Sequence, residues 1–489
     1  MGETDEPRAE LWPFVCLALQ LMLSNVARFS LLVIDAAFVG HIGTNELAGA
    51  SLAMLWIDFP LYTVWGLANA LVVLCGQAYG AKNGILMGIW LQMALVLVTL
   101  LAVPTTIYCL FLHDMLRVAS DDSAIVALGA RFGALLSPSM WPLLAYVCLR
   151  QYLQAMGVVA PTTLNAVVAV GLDIGANYVL IEVAQLGFDG SPLATVLVAW
   201  LQPIALYLYA FEYKKLHRDA WGGWKISELT RQRWTTFLQI ALPLGLNDGC
   251  DLLATAALSL VVARISTEAM AAHAILSNVW TVVDAIYYGI GLASEVGLAT
   301  HLGGGRPEAA RACARRGVAV LLLTGALVCL GLWLSPARIV GLFTPETSLL
   351  IMYTDVLPLL VLACGLRSLE VALVTTLEGL CQMRFVTIVT IGGLWGVELP
   401  LAYYCGLHLD LGLPGVWVAS TIAVTLKTIL LGLRCLRIDW ASMATEAMAT
   451  AEARDDSSTD ADSTDSICLV VTPVHEPCST RPAWYVTLT

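Results

Sequence analysis

The chain has 489 residues, of which 58% are hydrophobic and only 13% are charged, and its formal net charge is −12. A soluble domain covers its surface with about 25% charged residues, so the mean hydropathy of +0.78 excludes an ordinary soluble protein. Much of the negative charge lies at the two ends of the chain. The 13 cysteines are scattered without a CxxC pair, so neither a disulfide framework nor a metal site is expected. The composition predicts a polytopic membrane protein.

Apolar runs long enough to cross a bilayer recur twelve times, since about twenty apolar residues span the hydrocarbon as a helix. The predicted spans are 13–39, 46–75, 85–112, 124–148, 160–183, 191–212, 235–263, 269–299, 314–335, 348–377, 384–407 and 412–436. Fifteen basic residues follow the even-numbered spans and three follow the odd-numbered ones. Because cytoplasmic loops carry the excess of Lys and Arg, both termini are predicted to be cytoplasmic.

The two halves of the chain resemble each other. GTNELAGASL from Gly43 aligns with STEAMAAHAI from Ser266, and LGFDGSPLAT from Leu186 aligns with LGLPGVWVAS from Leu411. Two six-helix halves in the same orientation imply a pseudo-two-fold axis along the membrane normal, as in transporters. The fold class is therefore an all-α polytopic membrane protein with twelve transmembrane helices in two six-helix bundles. The expected segments are a cytoplasmic leader (1–12), an N-terminal bundle (13–212), a basic cytoplasmic linker (213–234), a C-terminal bundle (235–437) and a disordered cytoplasmic tail (438–489).

Two acids in the first half are candidates for ion coupling. Asp35 lies inside the run LLVIDAAFVG, and Asp173 lies in VGLDIGANYVL with Asn177 one helical turn further on. A carboxylate at membrane depth costs roughly 2.5–3.5 kcal/mol on insertion scales, which marks a functional site unless hydroxyl groups hold the acid for packing alone. Two acids that share one site could exchange a proton. The repeat places Leu258 opposite Asp35, so Asp35 is expected to act with Asp173.

The second half offers candidates for substrate binding. Asp248 and Asp251 are three residues apart and share a helix face, with Pro243 upstream to bend the helix. Asp248 could instead cap a break in that helix. Arg367 and Glu370 have the spacing of an ion pair. Aromatic residues that could stack on a flat cation, or simply pack, are Trp56, Trp65, Tyr152, Trp280, Tyr287 and Tyr288.

Other chemistries are not supported by the sequence. GGGRPE at Gly303 lacks the strand and the Walker pattern of a phosphate-binding loop, so a turn between helices is expected. The seven His residues form no HExxH motif, and no catalytic residue is predicted. The basic residues follow the membrane orientation, which does not indicate nucleic-acid binding. The protein is not expected to be an enzyme.

Several motifs resemble the multidrug and toxic compound extrusion (MATE) family, in particular its eukaryotic branch. They include DAAFVGHIGTNELAGAS, CGQAYGAKN from Cys75, KKLHRDAWGGWK from Lys214, LGGGRPEAAR and ELPLAYY, and they extend from about Phe14 to Leu436. The resemblance implies two six-helix bundles around a V-shaped cleft. It also implies antiport, in which an organic cation leaves while protons, or sodium in some members, enter.

The resemblance also assigns roles to residues. Asp35 matches a first-helix acid, and Asp173 and Asn177 occupy the positions of a family Asn and Asp with the two residue types exchanged. Thr195 matches a threonine of the same polar cluster. Asp251 takes the place of a seventh-helix glutamate, whereas Arg367 stands at an acidic position with Glu370 one turn away. The candidate ion-coupling residues are Asp35, Asp173, Asn177 and Thr195, and the candidate substrate-binding residues are Asp251, Asp248, Glu370, Gln77, Trp280 and Tyr287.

The resulting hypothesis is a monomeric secondary antiporter that exports organic cations in exchange for protons or sodium, without an organic cofactor. It would lie in the lipid of the plasma membrane or of a vacuolar or other organelle membrane. One alternative is an exporter of a neutral or anionic metabolite such as citrate or a glycoside, with Arg367 and Lys427 as substrate ligands. A lipid-linked substrate flippase is another, and it would need a basic headgroup-binding cleft.

Overall fold

The computed structural model describes residues 6–119, 122–215, 217–218, 220–341 and 347–452. Within these residues the fold is all-α, with twelve helices long and apolar enough to cross a membrane. These helices are α1 (Leu11–Ile42), α2 (Thr44–Gly80), α3 (Gly84–Leu110), α4 (Ser123–Ala155), α5 (Ala160–Val183), α6 (Gly187–Tyr213), α7 (Arg231–Ala263), α8 (Thr267–Gly303), α9 (Pro307–Leu334), α10 (Leu349–Gly379), α11 (Met383–His408) and α12 (Gly412–Cys435). The predicted fold class and the number of spans are confirmed.

The helices differ from the predicted spans mainly at their ends. The first helix already begins at Glu6, so part of the expected leader is helical. GGGRPE is the turn between α8 and α9, as predicted. Short helices lie at Leu112–Ala119 and Pro336–Gly341. Pro243 lies inside α7 without ending that helix, so no helix break is present for Asp248 to cap.

The chain after α12 departs from expectation, because α13 (Trp440–Glu452) is a helix within the segment predicted to be disordered. Three of its five alanines form one buried face, with Ala444, Ala447 and Ala451 at 2–4% exposure. Ala444 and Ala447 pack against Leu298 and Leu302 of α8. Small residues on one face allow a short helix to lie flat against other helices. The Ser/Thr/Asp-rich composition of the whole segment hides this spacing of the alanines. Residues 453–489 of the predicted tail lie outside the described residues.

The two halves pack against each other through their first two helices. Helix α1 contacts α8, and α2 contacts α7. These two contacts exchange when each half is mapped onto the other, as the repeat requires. A Cβ built at Gly66 of α2 would come within 2.8 Å of the Gly245 Cα of α7.

Helices α2, α8 and α10 all finish at one end of the bundle, which is predicted to face the cytoplasm. We call it the inner end. There α2 and α8 meet so closely that a side chain at Gly303 would collide with the backbone of Gln77. The Gln77 Nε2 donates to the Cys381 Sγ at 3.2 Å. The Asn83 Nδ2, just after α2, donates to the Ala451 carbonyl oxygen of α13 at 2.9 Å. Both hydrogen bonds join the first half of the chain to the second.

Candidate functional site

The four residues predicted for ion coupling come together in the first half. The Asn177 Nδ2 donates to one carboxylate oxygen of Asp35 at 2.9 Å, and the Thr195 Oγ1 donates to the other at 2.9 Å. Asp173 lies one turn before Asn177 on α5, next to Asp35, and the two acids interact electrostatically. Helices α1, α5 and α6 therefore each contribute to one polar cluster inside a largely apolar bundle.

The hydrogen bonds of this cluster leave one carboxylate oxygen without a donor. The Asn177 Nδ2 also donates to the Asp173 carbonyl oxygen at 3.1 Å, so both neighbours of this amide nitrogen are acceptors. Asp173 is 1% exposed, and its Oδ2 has no hydrogen-bond partner among the described residues. A buried carboxyl group and a half-buried one this close cannot both stay ionised at low cost. A proton on either acid would supply the missing donor.

Local helix geometry places this cluster. Directly after Asn177 and Tyr178, α5 ends in a π-helical turn, Val179–Val183. A Cβ on Gly190, at the start of α6, would come within 2.9 Å of the Ile181 backbone nitrogen. Wide turns of this kind shift side-chain directions and are frequent at functional sites. The close approach brings Thr195 of α6 to the same depth as Asn177.

A second cluster of charged residues lies in the other half. The Glu370 Oε1 lies 2.9 Å from the Lys427 Nζ and 3.1 Å from the Arg367 Nη1, so the predicted Arg367–Glu370 pair is confirmed. The Arg367 Nε donates to the Asp284 Oδ1 at 2.8 Å. Glu370 is fully buried, and both bases are paired with carboxylates. Neither base is therefore a free cationic ligand in this arrangement.

A missing side chain makes room for the lysine of this cluster. A Cβ on Gly393 would come within 2.5 Å of the Lys427 Cγ. Gly393 belongs to a π-helical turn, Gly392–Glu398, in α11. The glycine lets the Lys427 stem pass close to the α11 backbone and reach Glu370.

One hydrogen bond between a hydroxyl and a carboxylate occurs at equivalent positions in the two halves of the repeat. The Ser420 Oγ donates to the Glu398 Oε1 at 2.6 Å, just as Thr195 donates to Asp35. At the alignment offset of 225 residues, Ser420 corresponds to Thr195 and Glu398 to Asp173. Leu258, the counterpart of Asp35, lines the same recess as Glu398. The second half therefore keeps a hydroxyl–carboxylate pair but has lost the partner acid.

Between the halves, Asp248 and Asp251 lie along α7, and Asp251 is exposed. The Asn69 Nδ2 is 3.5 Å from the Asp248 Oδ2, and the Gln151 Nε2 donates to the Asn69 Oδ1 at 2.7 Å. This polar chain joins α4, α2 and α7. Sequence reasoning did not select Asn69 or Gln151, although an amide inside an apolar run was a usable signal.

Three predicted substrate ligands lie in other surroundings. Gln77 is 4% exposed and belongs to the contact at the inner end. Tyr287 is fully buried in the core of the second half, where its hydroxyl faces Gly325 of α9. Trp280 is partly buried and packs edge-on against Trp417 at 6.1 Å. Gln77 and Tyr287 therefore cannot contact a ligand between the halves in this arrangement.

Twelve apolar helices in two repeated halves, with ionisable clusters in their interior, define a polytopic membrane transporter. The model of the MatE family matches residues 21–179 and 243–404. The chain belongs to this family.

Curated relatives agree with this assignment. The chain is 27% identical over 447 residues to multidrug and toxin extrusion protein 2 of Oryctolagus cuniculus, covering 91% of this chain and 73% of that protein. It is 26% identical over 452 residues to protein DETOXIFICATION 16 of Arabidopsis thaliana, covering 91% and 92%.

Solved structures share the fold. The crystal structure of the eukaryotic MATE transporter AtDTX14 superposes with a TM-score of 0.83 at 21% identity, covering 91% of this chain and 99% of that one. A transporter of the MOP superfamily from Pyrococcus furiosus, described as having a binding pocket of reverse polarity, superposes with a TM-score of 0.78 at 18% identity. Its coverage is 90% of this chain and 96% of that one.

Proposed function

We propose that the protein is a secondary antiporter that exports organic cations in exchange for protons. The observation that carries this proposal is the pair of carboxyl groups of Asp35 and Asp173, held by Asn177 and Thr195 inside the membrane-spanning region. Release of the shared proton leaves net negative charge in the first half, which favours a cationic substrate nearby. Uptake of a proton removes that charge and promotes substrate release.

The charge balance of the second half favours a cation over an anion. Arg367 and Lys427 are compensated by Asp284 and Glu370, and Asp251 and Glu398 act on the same cluster electrostatically. Acids thus outnumber bases, and Asp251 is exposed. An anionic metabolite held by Arg367 and Lys427 would have to displace two carboxylates first. A flippase headgroup would meet the same surplus of acids.

The test is transport by the purified chain in proteoliposomes under an imposed pH gradient. We expect Asp35→Asn and Asp173→Asn each to abolish pH-driven counter-transport of a permanent organic cation, because neither variant keeps two titratable carboxyls at the site. Asp355→Asn, which changes an acid in α10 outside both clusters, is the matched control and should keep wild-type transport.

Full pH-driven transport in both Asp35→Asn and Asp173→Asn would refute this site. If a sodium gradient drives wild-type transport at fixed pH and a pH gradient does not, the coupling ion is sodium and not the proton. Robust transport of an anion such as citrate, with no transport of any planar cation, would show that the substrate is an anion and not an organic cation.

A further inference from the structure

Two guanidinium groups lie around one tryptophan where α1, α2 and α4 meet. The Arg28 Cζ is 4.7 Å from the centroid of the Trp65 ring, and the Arg150 Cζ is 5.4 Å from it. Arg150 is only 3% exposed. Two like charges therefore lie within about 10 Å of each other in a poorly solvated place, where their repulsion is weakly screened.

Among the described residues, these two arginines have no ion-pair partner. Every other arginine or lysine discussed above in the interior is paired, but within the described part of the chain no carboxylate lies within 4.0 Å of Arg28 or Arg150. The Nε atoms of both are buried without an acceptor among the described residues. Stacking on Trp65 offsets part of the cost of burial, but it leaves the two Nε–H groups without an acceptor.

A third donor lies at the same place. Tyr146 is one helical turn before Arg150 on α4, and both guanidiniums act electrostatically on its hydroxyl. The ring is 5% exposed, and the hydroxyl has no hydrogen-bond partner among the described residues. Buried donors are nearly always satisfied in native proteins. Three unsatisfied donors around one ring point to a ligand that only accepts.

The two unpaired guanidinium groups favour an anion as that ligand. Asp248 of α7 lies within electrostatic range of Arg28, but its Oδ2 lies 3.5 Å from the Asn69 Nδ2 and is not paired with either arginine. Trp65 precedes Gly66, which packs against α7, so the site lies beside the interface of the two halves and near the acids of α7.

We propose that Arg28, Arg150 and Tyr146 around Trp65 form a binding site for a small anionic group. The group is either the carboxylate of a substrate that also carries a positive charge, or a free inorganic anion such as chloride. The first source deepens the function proposed above and rests on it, with the cationic part of a zwitterion near Asp248 and its carboxylate at the arginines. The second source is independent of that function.

Anion binding by the purified full-length chain tests the site without any transport. Sodium benzoate and sodium chloride are titrated calorimetrically in a buffer of bulky sulfonates. A charge-assisted hydrogen bond contributes about 1.5–3 kcal/mol, so Arg28→Gln and Arg150→Gln should each weaken binding by about tenfold or more. Tyr146→Phe should weaken it less. Arg131→Gln is the matched control, because it removes one α4 charge from an exposed ion pair with Asp189, and it should bind like wild type.

Absence of binding of both anions to the wild type would overturn the proposal, as would unchanged affinity in both arginine variants. Gel filtration and thermal unfolding check that the variants fold. Arg150→Lys keeps the charge without the planar fork, so it should retain part of the affinity if an anion is bound.

Transport then distinguishes the two sources. If the site holds the carboxylate of the substrate, the arginine variants lose transport of a flat cation that bears a carboxylate but keep transport of its methyl ester. If it holds a free anion, ester transport by the wild type depends on chloride, and that dependence disappears in the variants. Normal anion binding without transport of either compound would contradict the proposed function and leave the anion site standing.

Discussion

Glu370 holds two positive side chains of the second half at once. It is fully buried between Arg367 and Lys427, whereas Arg367 has Asp284 as a second partner. Removing one member of a buried ion pair leaves an uncompensated charge, and the measured cost of this is about 3–5 kcal/mol. Lys427 depends on Glu370 more than Arg367 does.

We therefore expect Glu370→Gln to destabilise the protein strongly, by a few kcal/mol, because Lys427 is left buried without its carboxylate. Adding Lys427→Met should restore much of the loss. Thermal unfolding of the two single variants and the double variant in the same detergent measures this coupling. Arg131→Gln is the control, since an exposed ion pair contributes about 0–1 kcal/mol. Strictly additive losses would show that the two side chains do not depend on each other.

The residues that the sequence located best are those whose partners lie along one helix. Asp173 and Asn177, or Arg367 and Glu370, follow from the helical repeat alone. Thr195 was reached through the family resemblance. Arg28 was visible as a charge inside the first span, whereas Arg150 was counted among the basic loop residues after the fourth span and lies buried in α4 instead. Their position around Trp65 depends on how three helices pack. Tyr287 was misplaced because an apolar span gives no sign of which face meets another helix and which meets the cleft.

At the scale of elements, α13 shows how composition can mislead. It was expected to be disordered because Ser, Thr, Asp and Ala dominate the tail, yet its alanine face packs on α8 and α9. The hydrogen bond from Asn83 to Ala451 joins α13 to the first half as well. This helix therefore covers the inner end of both halves.

A charge on the buried face of α13 should release it. Ala447 is 4% exposed, so Ala447→Asp would place a carboxylate in an apolar contact, and such burial is unfavourable. If the substitution weakens the docking free energy of α13 by only about 1.4 kcal/mol, the undocked helix becomes tenfold more populated. We expect limited proteolysis to cut Trp440–Glu452 about tenfold faster. Thr445→Asp puts the same charge on the exposed face and should leave the rate unchanged. Equal rates in the two variants would mean that the buried face does not hold the helix.

On the scale of the whole molecule, the repeat is preserved in the backbone and only partly in the chemistry. The contacts of α1 with α8 and of α2 with α7 exchange under the repeat, and Thr195 and Ser420 both donate to carboxylates. Leu258, however, replaces the acid that would complete a second Asp35 site. The twelve spans were predictable because hydrophobic length needs no partner. The sequence alone showed only part of this asymmetry. It aligns Glu398 with Asp173 and Leu258 with Asp35, but the hydrogen bond from Ser420 to Glu398 is seen only in the structure.

The contact between the halves at the inner end must open if substrate is to be exchanged there, and it can be locked. The Gln77 Nε2 lies 3.2 Å from the Cys381 Sγ, and Cys381 is exposed to reagents. We expect a short bis(methanethiosulfonate) reagent, which forms a reducible disulfide with each thiol and releases methanesulfinate, to join Gln77→Cys to Cys381. Transport in proteoliposomes should then fall to background because only one of the two access states remains. Reduction should restore transport. The same reagent on wild type and on Gln77→Cys/Cys381→Ser controls for the other cysteines. Undiminished transport by a fully cross-linked sample would show that this contact stays closed throughout the cycle.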